Sequence, residues 1–247
     1  MGPAVWRAAD PRLLAGRPGV RWLDPRRIEE EPPALTEDQR SALEAGRLTA
    51  VNLRHPRREE ALDFVTPGSG RKRVHLLAVG DVGGTLLTAL KLLGGDVVSS
   101  VGICDLNEKT VARWVTEMGQ ISWPWDYEGL PEVEAVSLEN LFDCDVFIFA
   151  ATKSIPPVGS GVKDVRMAQL EANRPLAESF ARPAREAGFR GLFIVLSDPV
   201  DPLCRAVWRA SNTGPGGELD HLGLLPEQIQ GFGLGVMNAR AAYFAKR

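Results

Sequence analysis

The stretch from Val74 to Asp105, VHLLAVGDVGGTLLTALKLLGGDVVSSVGICD, constrains the fold of this chain more than any other. Val74, Leu76, Leu77 and Val79 make an apolar run of strand length, and Thr85 to Leu93 carries leucines at helical spacing. Between them stands the turn Ala78-Val79-Gly80-Asp81-Val82-Gly83. In a strand–turn–helix unit of this kind, Gly80 lets the backbone come close to a diphosphate. Gly83, with Gly84 beside it, lets the helix pack tightly on the strand. The first free N–H groups of the helix then face the phosphates. A second strand, Val97 to Cys104, ends on Asp105, 25 residues past Gly80. A carboxylate there can accept both ribose hydroxyls of an adenosine. The usual first glycine is Ala78 here, which is tolerable while the turn stays tight. No Lys-Ser/Thr pair follows the glycines, so a P-loop NTPase does not fit. The competing reading is a glycine-rich turn that binds nothing.

With 247 residues, the chain can bury one large domain, or one domain plus an appendage. A net charge of −3 leaves no basic excess to neutralise phosphates, which argues against nucleic acid as a partner. No apolar run reaches membrane-spanning length and the N-terminus has no apolar signal core, so no membrane partner is expected. The three cysteines, Cys104, Cys144 and Cys204, are odd in number and far apart. They read as buried free thiols in a reducing compartment, the cytoplasm, and no metal-ligand set is expected.

Residues 1–70 are rich in Arg and Pro and read as an N-terminal extension packed on the main domain, adding a strand or an oligomer contact. One helix is expected over Thr36 to Ala45, with Thr36 as N-cap and Gln39 three residues on, and one strand over Leu48 to Leu53. Residues 71–247 then alternate strands and helices. Beyond the opening unit come a helix over Glu108 to Met118 and an aromatic loop, Trp123-Pro124-Trp125-Asp126-Tyr127, whose rings are expected to pin it to the body. A short strand, Val133 to Val136, and a near-continuous apolar strand, Asp145 to Ala150, follow. A loop over Thr152 to Gly161 precedes a helix from about Lys163 to Ala187, which Pro175 and Pro183 should kink or break. A strand over Gly191 to Leu196, a helix over Pro202 to Ala210, a strand over Gln228 to Gly231 and a last helix from near Met237 complete the order. This alternation means an α/β, three-layer, doubly wound parallel sheet with right-handed crossovers.

Six pieces taken together resemble the lactate/malate dehydrogenase family. They are the Ala-x-Gly-x-x-Gly turn, Asp105, the strand DVFIFAAT, the segment DVRMAQLEANRPL, the strand and turn LFIVLSDPVDPL, and LPEQIQGFGLGVMNARAAYF. Together they cover about Arg73 to Lys246; residues 1–70 have no counterpart. The resemblance implies a Rossmann domain binding NAD, with cofactor contacts at Ala78, Gly80, Asp81, Val82, Gly83 and Asp105, and at Ala150 and Ala151. It also implies a small 2-keto or 2-hydroxy acid anion as substrate, and a homo-oligomer. Arg166 falls where the family's mobile-loop arginine polarises the substrate carbonyl. Arg240 falls where an arginine grips the substrate carboxylate at two points, a role suited to guanidinium. Ser154 lies near the substrate-choosing position.

Two matched positions depart from the family. Asp198 replaces an asparagine that contacts substrate, and an ionised carboxylate there repels an anionic acid unless it is protonated or paired. Met237 replaces the aspartate that orients the catalytic histidine, and a thioether cannot accept that hydrogen bond. The family's Gly-x-His-Gly stretch has no match in the sequence, whose histidines are His55, His75 and His221. Each of these reads as structural or solvated. The expectation is an NAD-binding, dehydrogenase-like protein that is nominally a 2-hydroxy acid oxidoreductase but inactive as this chain alone. The alternatives are an NAD-sensing or scaffold protein without catalysis, and an enzyme of altered chemistry using Asp198 as its acid–base group.

Overall fold

The protein is described by a computed structural model. It covers residues 4–8, 10–14, 31, 33–66, 68–153, 161 and 163–247. The chain divides into two compact units, Met1–Pro67 and Gly68–Arg247.

In the first unit, β1 (Val5–Arg7) pairs antiparallel with β2 (Thr49–Val51), which lies inside the expected strand. The pair makes a two-stranded sheet of its own, and among the described residues no strand of this unit joins the six-stranded sheet. The helix α1 (Glu37–Glu44) lies between them, and a complete capping box explains its start. Thr36 Oγ1 accepts from the Gln39 amide, and Gln39 Oε1 accepts from the Thr36 amide. The helix α2 (Arg58–Val65) was not expected. Its charged residues equal its apolar ones in number, and Ala61 alone is buried, so no apolar stripe announced it.

The second unit carries β3 (Lys72–Leu77), α3 (Asp81–Leu93), β4 (Val98–Cys104), α4 (Glu108–Gly119), β5 (Glu132–Ala135) and β6 (Val146–Phe149). These are followed by α5 (Val165–Glu186), β7 (Leu192–Val195), α6 (Val200–Ser211), β8 (Ile229–Gly231) and α7 (Leu234–Ala245). All six strands are parallel, in the order β5-β4-β3-β6-β7-β8. This is the doubly wound Rossmann arrangement, whose order reverses between β3 and β6. Alternation along the strands divides the core. Val74, Leu76, Ile103 and Ile148 bury one face with Leu87 and Met118, from α3 and α4. Leu77, Phe147, Phe149 and Phe193 bury the other with Ala177, Ala181, Leu203 and Val207, from α5 and α6.

Two expectations are corrected in this unit. The helix α5 runs unbroken through Pro175 and Pro183. A proline inside a helix costs about 3 kcal/mol. Against this stands a face of small buried residues, Ala177, Ala181 and Ala184, which lets the helix lie close on the aromatic strands. The aromatic loop is not pinned by its rings, since Trp125 and Tyr127 are 92% and 74% exposed. It closes on itself instead. Trp123 and Asp126 form an isolated bridge, and Trp125 takes a left-handed backbone (φ 67°) that turns the chain back. The last helix begins at Leu234, near Met237 as expected.

The cysteines are free; Cys104 is buried, while Cys144 and Cys204 are half-buried. Burial pushes the Cys144 thiol up to about 12 and the Cys204 thiol up to about 11, so these are inert packing groups. His75 is buried with Nδ1 2.8 Å from the Leu141 carbonyl oxygen. Lys91, buried on α3, donates to the Pro131 carbonyl at 2.8 Å and so ties α3 to the chain entering β5. Among the described residues no helix is long and apolar enough to cross a membrane.

Candidate functional site

At the carboxyl end of the sheet, where the strand order reverses, the ends of β3, β4 and β6 open on a cleft of about 970 Å³. Open parallel sheets place their ligands in such a crevice. All eight residues expected to meet a nucleotide line it, namely Ala78, Gly80, Asp81, Val82, Gly83, Asp105, Ala150 and Ala151.

The turn after β3 is built from a few local constraints. Ala78 stands where the chain needs a left-handed backbone (φ 71°), and its amide donates to the Cys104 carbonyl oxygen at 2.8 Å. An L-residue bears a steric cost there, which is why glycine is usual at that point. Gly80 caps α3 with an extended backbone and no side-chain cap, leaving the first-turn amides of the helix to a ligand or to water.

The three glycines separate by what a side chain would meet. A Cβ on Gly80 meets nothing within 4 Å; one on Gly83 collides with the Ala78 carbonyl oxygen. One on Gly84 comes within 2.6 Å of the Trp114 ring. Gly80 therefore leaves room for a ligand and Gly83 lets the helix close on the turn. Gly84 serves helix–helix packing rather than the strand contact expected of it. Trp114 reinforces the turn by donating from Nε1 to the Val79 carbonyl oxygen at 3.2 Å.

Asp105, half-buried at the end of β4, works partly for the fold. Its Oδ2 accepts from the Val79 amide at 3.0 Å, and its Oδ1 from the Asn107 amide at 2.9 Å. A carboxylate offers about four acceptor sites. The two backbone bonds fix its orientation and leave capacity for two hydroxyl donors.

Two residues that sequence reasoning missed hold the other wall. Ser197, buried, donates from Oγ to the Ala151 carbonyl oxygen at 2.7 Å. Asn173, fully buried on α5, accepts from the Lys153 amide at 2.8 Å and donates to the Asp198 carbonyl oxygen at 2.9 Å. Together they fasten the segment after β6 to the turn after β7. The available signal was an asparagine on the sheet-facing side of a helix, at the spacing Gln169, Asn173, Ala177. A polar group there must find partners across the core.

The three residues expected to handle substrate do not line the cleft. Arg166 and Asp198 come together, with Nη1 and Oδ1 3.9 Å apart and both side chains mostly exposed (66% and 59%). The charge at Asp198 is thus offset by the arginine expected to polarise a substrate carbonyl. Arg240 stands exposed on α7 and, among the described residues, shares no hydrogen bond or ion pair with either. Ser154 lies outside the described residues. None of the three histidines lines the cleft.

No family model matches the sequence. Over 140 residues the chain is 25% identical to L-lactate dehydrogenase 1 of Lactobacillus acidophilus, covering 57% of this chain and 40% of that protein. Over 141 residues it is 28% identical to L-lactate dehydrogenase of Latilactobacillus sakei subsp. sakei, again covering 57% and 40%. The chain thus spans about 40% of the length of these curated relatives. Among solved structures, it resembles the minor L-lactate dehydrogenase from Enterococcus mundtii with a TM-score of 0.54 at 19% identity, over 71% of this chain and 51% of that one. It matches MGS-M5, a lactate dehydrogenase from a Medee basin deep-sea metagenome library, equally well (0.54, 18%, 72% and 50%). The structures bear out the Rossmann fold, and the homologues are dehydrogenases of the lactate/malate type that the six motifs resemble.

Proposed function

We propose that the cleft binds NAD(H) and that the protein is a lactate/malate dehydrogenase-like, nominally 2-hydroxy acid oxidoreductase. The observation that carries this reading is the meeting of all eight expected nucleotide residues around one cleft, with Gly80 open into it. The uncapped start of α3 would receive the diphosphate, Asp105 the adenosine ribose, and Ala150 and Ala151 the far wall. NAD, when bound, supplies the hydride acceptor; the residues named here bind and orient it. The setting proposed is the cytoplasm, in keeping with three free cysteines.

Asp105 should make the site prefer NADH over NADPH, because its carboxylate accepts ribose hydroxyls and repels a 2′-phosphate. Hydrogen bonds to a charged group contribute about 1.5–3 kcal/mol, so a preference of roughly 10- to 100-fold is expected. Fluorescence titration with the two nucleotides measures it. Equal affinities, or tighter NADPH, would take Asp105 out of this role.

The small-acid site is proposed at Arg166 and Arg240, as the resemblance implies. A 2-keto or 2-hydroxy acid anion must then compete with Asp198 for Arg166, the two groups being 3.9 Å apart. Exposed ion pairs contribute about 0.2–1 kcal/mol, so Asp198→Asn should tighten pyruvate binding to the NADH-loaded protein by roughly 1.5- to 5-fold. Calorimetric titration of the two forms checks this, and weaker binding by the variant would contradict it. The second reading is an NAD-sensing or scaffold role without catalysis. The exposed Arg166–Asp198 pair and the absence of histidine from the cleft favour it, and a nucleotide-dependent partner or assembly would establish it.

A further inference from the structure

The first unit carries a cleft of its own, of about 710 Å³, a size within the range of small-molecule sites. Its residues precede Arg73 to Lys246, the stretch that resembles the dehydrogenases. Pro11, Leu35 and Leu43 give the cleft an apolar wall, and Arg7, Arg40 and Glu44 bring charge to it. Arg7 stands on β1, and Arg40 and Glu44 stand on α1, so regular elements position the charges.

The place of Arg7 is set by one glycine. Gly46, just past the end of α1, takes a left-handed backbone (φ 63°), and the Arg7 guanidinium occupies the space that a side chain there would fill. The carboxyl end of a helix favours a cation at this point. Yet among the described residues the Arg7 side chain makes no hydrogen bond or ion pair, and neither does that of Arg40. Glu44 follows Arg40 by one helical turn without forming an ion pair with it. Two guanidinium groups against one carboxylate leave the cleft with an excess positive charge and unused donors. A guanidinium grips a carboxylate or a phosphate at two points, and the proline and leucine wall suits an apolar body. We propose that this cleft binds a small organic anion, an apolar body bearing one carboxylate or phosphate. Arg7 and Arg40 hold its head group, and Pro11, Leu35 and Leu43 cover its body. The inference does not rest on nucleotide binding, and it is tested without NADH.

The test is a titration of the full chain followed by heteronuclear NMR, with naphthoate and naphthyl phosphate as probes. Both should shift the amide signals of Leu43 and Gly46, and the tighter of the two names the head group. Acetate, inorganic phosphate and neutral naphthalenemethanol each lack half of the match and should bind at least about 10-fold more weakly. Arg40→Gln removes charged hydrogen bonds and should weaken binding of the tighter probe by about 10-fold. Glu44→Gln removes the opposing carboxylate and should tighten it by roughly 2- to 5-fold. Both positions are exposed on α1, so circular dichroism should not change in either variant. Failure of both probes to bind at about 5 mM, enough to fill a site of millimolar affinity, would overturn the proposal. Naphthalenemethanol binding as tightly as the anions would overturn it as well. So would shifts that leave Leu43 and Gly46 unmoved, or normal binding by Arg40→Gln.

Discussion

Mixed with NADH and pyruvate, oxaloacetate or longer 2-keto acids, the 247-residue chain alone should show no turnover at any pH from acidic to neutral. Reduction of a keto acid delivers a hydride to carbon and a proton to oxygen, and a positioned acid–base group typically contributes about 10²–10⁴ in rate. No histidine lines the cleft. His75 is held at the Leu141 carbonyl, His221 sits beside Trp208 in the loop after α6, and His55 belongs to the first unit. The carboxylate at the expected substrate site, Asp198, is mostly exposed, lies 3.9 Å from Arg166 and does not line the cleft. The measurement is NADH absorbance at high protein concentration. Turnover of even about 1 s⁻¹, the low end for ordinary enzymes, would contradict the expectation. Its loss in Asp198→Asn would then identify the aspartate as a substitute acid.

Gly80→Val should abolish NADH binding and leave the fold intact. The backbone at Gly80 is extended (φ −70°, ψ −156°), a conformation valine adopts readily, and its Cβ would meet no protein atom within 4 Å. The isopropyl group would instead occupy the space beside the first turn of α3, where the diphosphate is proposed to lie. A loss of affinity beyond about 100-fold is expected, equivalent to about 3 kcal/mol, with an unchanged circular dichroism spectrum. Gly83→Val should fail differently. Its Cβ collides with the Ala78 carbonyl, so that variant should lose stability by about 1–3 kcal/mol or more before binding is considered. If Gly80→Val binds NADH as well as the parent protein does, the turn is a packing device and the proposed nucleotide site is wrong.

The strand–turn–helix from β3 through Asp105 was legible because its signals are local. Apolar runs of strand length, leucines at helical spacing and glycines at the turn each report on a few neighbouring residues, and the structure places strand ends within two residues of those expected. The split roles of Gly80, Gly83 and Gly84 were only partly legible. A glycine announces that something passes close by, and only the fold shows whether that is empty space, a carbonyl or the Trp114 ring.

What the sequence by itself determined was the alternation of elements, hence a parallel sheet with helices on both faces, together with the residues that gather at its switch point. Periodicity states which side of a strand or helix turns inward. It does not state which distant segment meets that side. That was left to tertiary contacts between residues far apart in the chain. Asn173 finds Lys153 and Asp198 at 20 and 25 residues' distance, and Ser197 reaches Ala151 across 46. Arg166 turns to Asp198 rather than standing free for a substrate. The aromatic loop closes on itself and leaves its rings in water, and α5 passes two prolines because its alanine face packs against the aromatic strands. The helix α7 shows the same division most plainly. Its apolar composition suits burial, yet among the described residues none of its side chains is buried.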